Sequence, residues 1–105
     1  MTIKKFLIEV QQSEAAHILH IAGELDLAAA QEFRAALDSV VHDTSKTLIL
    51  DVQELRYIDS TGIGIIVSVI KIRDEINAPL AVRNIPTGIR RLFDMTGISG
   101  FINEG

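Results

Sequence analysis

The chain has no cysteine. Disulfides, thiolate metal sites and thiol nucleophiles are excluded together. It has no excess of positive charge either, since the formal net charge is −4. Nucleic acids and acidic membrane surfaces reward clustered Lys and Arg, so neither is an expected partner. Long hydrophobic runs are also missing. The longest, 63–72, is far too short to span a bilayer and contains Ser68 and Lys71. The start, "MTIKKFLIEVQQ", has two lysines but too short an apolar stretch for a signal peptide. There is no internal repeat, low-complexity tract or Pro/Ser-rich linker. What remains is 105 residues, 48% of them hydrophobic. That is enough for one core and argues against disorder. The expectation is one small domain spanning residues 1–105, soluble and cytoplasmic.

Periodicity suggests the order β-β-α-β-α-β-α. "IKKFLIEVQQ" alternates, with Phe6, Ile8 and Val10 on one face and Leu7, Glu9 and Gln11 on the other. "AAHILHIAG" reads as a second strand after a hairpin turn, ended by Gly23. Asp26 is a suitable N-cap for "LAAAQEFRAALDSVVHD", whose Ala30, Phe33, Leu37, Val40 and Val41 recur at helical spacing. "TLILDV" (47–52) has the continuous apolar character of a central strand covered on both faces, and "QELRYIDS" reads as the loop after it. Residues 63–76 are rich in β-branched residues but are long, and they precede the strand-like "APLAVRN". A helix is expected, with Ile63, Ile66, Val67 and Ile70 on one stripe and Ile65, Val69, Ile72 and Ile76 on another. In so small a chain the second stripe becomes a candidate contact surface. Pro86 suits the first turn of a last helix, "TGIRRLFDMTG", with Ile89, Leu92 and Phe93 inward and Gly97 at its C-terminal cap. "ISGFINEG" is left as a tail with room for one short strand. Together these elements define an α/β domain, one sheet with helices packed against it.

The residues that could carry chemistry sit in "IDSTGIG". A hydrolase nucleophile elbow is G-x-S-x-G; no glycine lies two residues before Ser60. No base is at hand. His17 and His20 lie three apart on a predicted strand, so they face opposite ways and cannot share a metal, and His42 stands alone at a helix end. A phosphate loop needs a lysine directly after its last glycine, and none follows Gly64 until Lys71. No enzyme activity, metal site or cofactor is expected. Asp59, Ser60 or Thr61 can cap the helix, which explains one polar residue but not two hydroxyls beside Gly62 and Gly64. Glycines there leave the hydroxyls open to a large partner. A phosphate on a hydroxyl at a helix N-terminus is tolerated by the helix, yet it can break a close interface.

"IAGELDLAAAQEFRAAL", "LILDVQELRYIDSTGIGIIVSVIKI" and "IRRLFDMTGI" resemble, in that order, the bacterial anti-sigma factor antagonists of the STAS domain family. The resemblance covers almost the whole chain. It implies a single STAS domain, a small mixed β-sheet of roughly four to five strands with helices packed against it. It implies that 63–76 is helix. It also implies a phosphorylation-switched binding protein. By the resemblance, Ser60 is the position expected to be phosphorylated by the cognate anti-sigma factor, a GHKL-type serine protein kinase. The unphosphorylated form is then expected to bind that kinase and free the sigma factor, and a PP2C-type phosphatase to restore binding. Asp26 of "GELD" is implicated in binding and phosphorylation, and Asp59 and Thr61 flank the serine. The expected partner-binding set is Glu24, Asp26, Asp59, Ser60, Thr61, Gly62, Ile65 and Val69. A monomer is expected when the protein is free. The alternative is a STAS scaffold component of a larger signalling complex. Two departures are visible: Ile63 stands where leucine is usual, and a C-terminal helix carried by some relatives is expected to be missing or vestigial.

Overall fold

The computed structural model describes residues 5–102. The first two residues of the first predicted strand, 3–4, and the end of the tail, 103–105, lie outside the described residues. The elements are β1 (Phe6–Gln12), β2 (Ala16–Leu25), α1 (Ala30–Asp38), β3 (Thr47–Ile58), α2 (Ser60–Glu75), β4 (Leu80–Arg83) and α3 (Thr87–Thr96), followed by a short 3-10 helix at Ile98–Phe101. The sheet order is β1-β2-β3-β4, with β1 antiparallel to β2 and the remaining pairs parallel. The mixed sheet has four strands, and the expected element order holds.

One face of the sheet carries the core. Leu19, Ile21, Leu48, Leu50, Val52 and Val82 are buried there with Phe33 of α1, Ile66 of α2 and Phe93 of α3. Phe6 meets Phe33 edge-on, with ring centroids 6.3 Å apart. The other face is a shallow open concavity lined by Leu7, Glu9, His20, Asp51 and Gln53. β3 is therefore not covered on both faces, contrary to the reading of "TLILDV". Ile49 on the open face is only half-buried.

Several boundaries differ from expectation, each for a local reason. β3 runs on through "QELRYI" because its pairing with β2 absorbs two register shifts, between His20 and Ala22 and between Gly23 and Glu24. Each shift puts one extra residue in β3, and bulges of this kind destroy the period-two pattern by which strands are read. β2 likewise continues past Gly23, which adopts φ 88°. A Cβ on Gly23 would lie 2.0 Å from the Lys5 carbonyl oxygen, so the close pass of β1 requires glycine. Val10 shares the core face of β1 with Phe6 yet is 50% exposed. α1 is shorter than predicted. Val40 and Val41 stay buried but fall in the turn that follows the helix. α3 turns Ile89 and Phe93 inward with Leu92 half-buried and is closed by Gly97 at φ 80°, but Pro86 is its N-cap, extended at ψ 150°, and not part of its first turn. The tail forms the 3-10 helix rather than a strand.

The loops at the far end from the candidate site are tied by one buried cation. Arg73 on α2 is 1% exposed. Its guanidinium donates to the carbonyl oxygens of Val41 (3.0 Å), Asp43 (2.9 Å), Lys46 (2.7 Å) and Pro79 (2.8 Å). These four acceptors lie in the α1–β3 and α2–β4 connections. An arginine fork can satisfy several carbonyls that no helix or ladder reaches. Arg73→Leu leaves all four without that donor, and we expect a loss on the order of 3 kcal/mol, read as a lower urea midpoint.

Two aspartates make stability depend on acid. The hydroxyl of Ser45 and then His17 hold Asp43 well below the usual carboxylate range. Burial opposes ionisation of Asp51, but hydrogen bonds from the Gln53 amide, Arg83 and Asn84 outweigh it and lower its pKa. Both groups bind protons less readily folded than unfolded. The stability they contribute is present above the ordinary aspartate value of 3.8 and is lost as pH falls below it. Urea unfolding between about pH 6 and about pH 2.5 should show that loss, and Asp51→Asn should make the acid limb shallower.

Candidate functional site

The site forms where β2 and β3 end side by side. Parallel pairing carries Glu24 opposite Tyr57 and Leu25 opposite Ile58. The Asp59 amide then donates to the Leu25 carbonyl at 3.3 Å. Asp26 and Asp59 are thus the next residues of two neighbouring strands, and "GELD" and "DSTG" leave the sheet together.

Each segment turns in its own way. Asp26 does not cap α1. Its Oδ1 accepts from the Ala29 amide at 3.1 Å, closing a turn that precedes the helix, and the N-cap position itself belongs to Ala29. Asp59 is the cap of α2. Its Oδ1 accepts from the Gly62 amide at 3.1 Å, and its carbonyl accepts from the Ile63 amide at 3.0 Å. The capping role that the sequence left open among three residues falls to Asp59. Ser60 is then the first helical residue. It is exposed, and its hydroxyl makes no hydrogen bond to any described residue. Thr61 is half-buried.

The two glycines do different jobs. Gly62 is buried, and a Cβ there would lie 2.6 Å from the Leu25 carbonyl oxygen and 2.8 Å from Leu25 Cγ and Ile58 Cγ1. It fits the start of α2 against the strand ends and offers no surface to a partner. Gly64 is exposed, and a Cβ there would meet nothing within 4 Å. Only Gly64 keeps an approach open.

Ile65 and Val69 also require correction. They are 1% and 3% exposed and belong to the core. The buried residues of α2 are Gly62, Ile65, Ile66, Val69 and Arg73, which share one face at helical spacing. The two stripes expected from the sequence are the flanks of one broad apolar arc, with half-buried Ile63, Val67 and Ile70 on one side and Ile72 and Ile76 on the other. The exposed row is Ser60, Gly64, Ser68 and Lys71. Serine, glycine and serine at four-residue spacing is the signal that could have located it. Leu27 was also passed over as part of a helix. It is 74% exposed in the turn after Asp26.

None of the three histidines lies at this end of the strands. His17 sits near the start of β2, opposite Leu48, and bonds Asp43 Oδ2 through Nε2 at 2.8 Å. His20 is on the open sheet face with Gln11 at 3.0 Å. His42 is in the turn region after α1. Among the described residues no cluster of His, Asp and Glu could hold a metal ion, and no helix is long and apolar enough to cross a membrane.

A four-stranded mixed sheet with a serine-bearing helix start beside an acidic turn defines a recognisable class. The STAS domain model matches residues 7–104, and the chain belongs to the STAS domain family. Among its relatives, the anti-sigma-B factor antagonist of Listeria monocytogenes is 31% identical over 96 residues, covering 90% of this chain and 84% of that protein. The anti-sigma-B factor antagonist of Staphylococcus aureus is 27% identical over 100 residues, covering 93% of each. The fold matches that of the anti-sigma factor antagonist SpoIIAA in its unphosphorylated form, with TM-score 0.75 and 20% identity over 95% of this chain and 87% of that one. Bacillus SpoIIAA in the phosphorylated form matches with TM-score 0.71 and 20% identity over 95% of this chain and 90% of that one.

The two glycines separate by experiment. Gly62→Ala should lower stability by roughly 1–3 kcal/mol through overpacking against Leu25 and Ile58. Gly64→Ala should leave stability unchanged or raise it by up to about 1 kcal/mol, since alanine is the better helix former. Chemical denaturation of both variants checks the contrast.

Proposed function

We propose that this chain is a single-domain anti-sigma factor antagonist, switched by phosphorylation of Ser60 and without catalytic activity of its own. The observation that carries this reading is the state of the serine. Asp59 caps α2, so the Ser60 hydroxyl is exposed at the helix start and has no structural duty. The antagonist relatives support the partner class, and SpoIIAA, which has this fold, exists in unphosphorylated and phosphorylated forms.

The partner is an anti-sigma factor that is also a serine kinase of the GHKL type, and a PP2C-type phosphatase reverses the modification. The docking face is the exposed row of α2 starting at Ser60, with Glu24 at the end of β2 and with Asp26 and Leu27 in the turn that follows. Ile65 and Val69 support this face from below and Gly62 holds it to the sheet; none of the three touches the partner. A phosphate at Ser60 adds roughly −1.5 to −2 charges to a surface already holding Glu24, Asp26 and Asp59. In a close interface that means desolvation and like-charge repulsion, and the partner is released.

The test uses the purified protein, ATP and the anti-sigma kinase of its own organism. Mass spectrometry should place one phosphate on Ser60. Ser60→Ala should block it, fold within about 0.5 kcal/mol of the parent and still hold the kinase. Ser60→Asp should weaken binding on the order of tenfold or more. Phosphate on another residue, or full-strength binding by Ser60→Asp, would overturn the reading.

A further inference from the structure

β1 is an edge strand, and among the described residues no strand pairs with its outer side. At one end Lys5 O accepts from the Glu24 amide at 2.8 Å, and at the other Ser13 N donates to Ala16 O at 2.9 Å. With the register running unbroken from Phe6 opposite Gly23 to Gln12 opposite His17, the odd-numbered residues make the hydrogen-bonded pairs with β2. The N–H and C=O groups of Phe6, Ile8, Val10 and Gln12 therefore point away from the sheet. Edge strands are normally blunted by proline, lysine, a bulge or a cover. Between residues 6 and 12 there is no proline, lysine or bulge, while Leu7 is 55% and Val10 50% exposed. β4, at the opposite side of the sheet, is only four residues long.

We propose that β1 pairs antiparallel with β1 of a second copy of this chain, about a two-fold axis through Ile8, making one continuous sheet across the dimer. The axis must bring outward-facing residues together and keep each face on its own side. A two-fold through any residue of the strand does so, but only axes on Ile8, Glu9 or Val10 close about six or more backbone hydrogen bonds within residues 6–12. Centring on Glu9 sets two carboxylates directly opposite each other in a close pair, which is destabilising. Centring on Val10 places Ile8 opposite Gln12. Centring on Ile8 places Ile8 against Ile8 and Phe6 against Val10 on the core face, and Leu7 against Glu9 on the open face. It closes about six backbone hydrogen bonds. It also covers Val10 and Ile8, the two core-face residues that the chain's own helices leave half open. The strand is complementary to itself, since Phe6 meets Val10 once on each side of the axis. The expectation of a free monomer gives way to a dimer at high concentration. None of Glu24, Asp26, Asp59, Ser60 or Thr61 lies on this edge, so the dimer stands apart from the phosphorylation switch.

Sedimentation equilibrium of the full chain should show a dimer fraction that rises with concentration. Val10→Pro removes an outward N–H without touching the β1–β2 ladder, and should weaken association about tenfold or more. The absence of native cysteine allows a second measurement that does not depend on that variant folding. Paired Cα atoms about 5.5 Å apart suit a disulfide. Under mild oxidation Ile8→Cys should therefore form covalent dimer well above Glu9→Cys and Val10→Cys. A chain that stays monomeric at every concentration overturns the proposal. So does a dimer that cross-links best at residue 9 or 10, or one that ignores Val10→Pro.

Discussion

The arrangement rests on the parallel pairing of β2 with β3 being carried to its last residue. Two bulges in β3 interrupt the ladder, yet Leu25 still meets Ile58. Had pairing stopped at Gly23, the segments holding Asp26 and Ser60 would leave the sheet at different heights. Gly23 makes the continuation possible by accepting φ 88° under the Lys5 carbonyl. Gly62 makes use of it, because its missing side chain lets the first turn of α2 settle on Leu25 and Ile58. The two glycines serve backbone approach, Gly23 where β1 passes β2 and Gly62 where α2 meets the ends of β2 and β3. The two segments that leave the sheet side by side gain precision from the elements that end in them.

At the other end of the domain the same helix is fixed by charge. Arg73 lies on the buried face of α2 with Ile66 and Val69. A buried guanidinium is costly unless its donors are used, and here four carbonyls take up the donors of Nη1 and Nη2, leaving Nε without a partner among the described residues. α2 is thus held at Gly62 by fit and at Arg73 by hydrogen bonds, with apolar packing between. The exposed row between those points cannot roll without breaking one or the other.

Much of this was legible in the sequence, and the failures share a cause. The element order and the helix over 63–76 could be read because strand and helix periods are strong over long segments. The motifs holding Asp26 and Ser60 could be picked out, and the structure sets the two segments side by side at the strand ends. The "QELRYI" part of β3 was hidden because its bulges replace period two with buried Leu55 and Ile58 at three-residue spacing. The face of α2 was misread because its centre is marked by Gly62 and Arg73, a residue with no side chain and a charged one. A hydrophobic count sees neither as core, so it split one arc into two stripes and sent Ile65 and Val69 to the surface. Arg73 was invisible for a further reason. Its partners are backbone carbonyls from residues 41 to 79, and no side-chain pattern encodes them.

The division of labour at the helix start bears on how a phosphate at Ser60 would act. The first turn of any helix has amides without partners inside the helix. Asp59 occupies that of Gly62 with its side chain and that of Ile63 with its carbonyl. By helix geometry the amides of Ser60 and Thr61 have no partner within the helix, beside the positive end of the dipole. A phosphate on Ser60 would find donors there without displacing the cap. The fold would therefore have no reason to change if the group arrived. On the proposed function the modification would be read from outside, by what a partner meets over Ser60 and Gly64, and an open surface at Gly64 and a closed fit at Gly62 would both be required two residues apart.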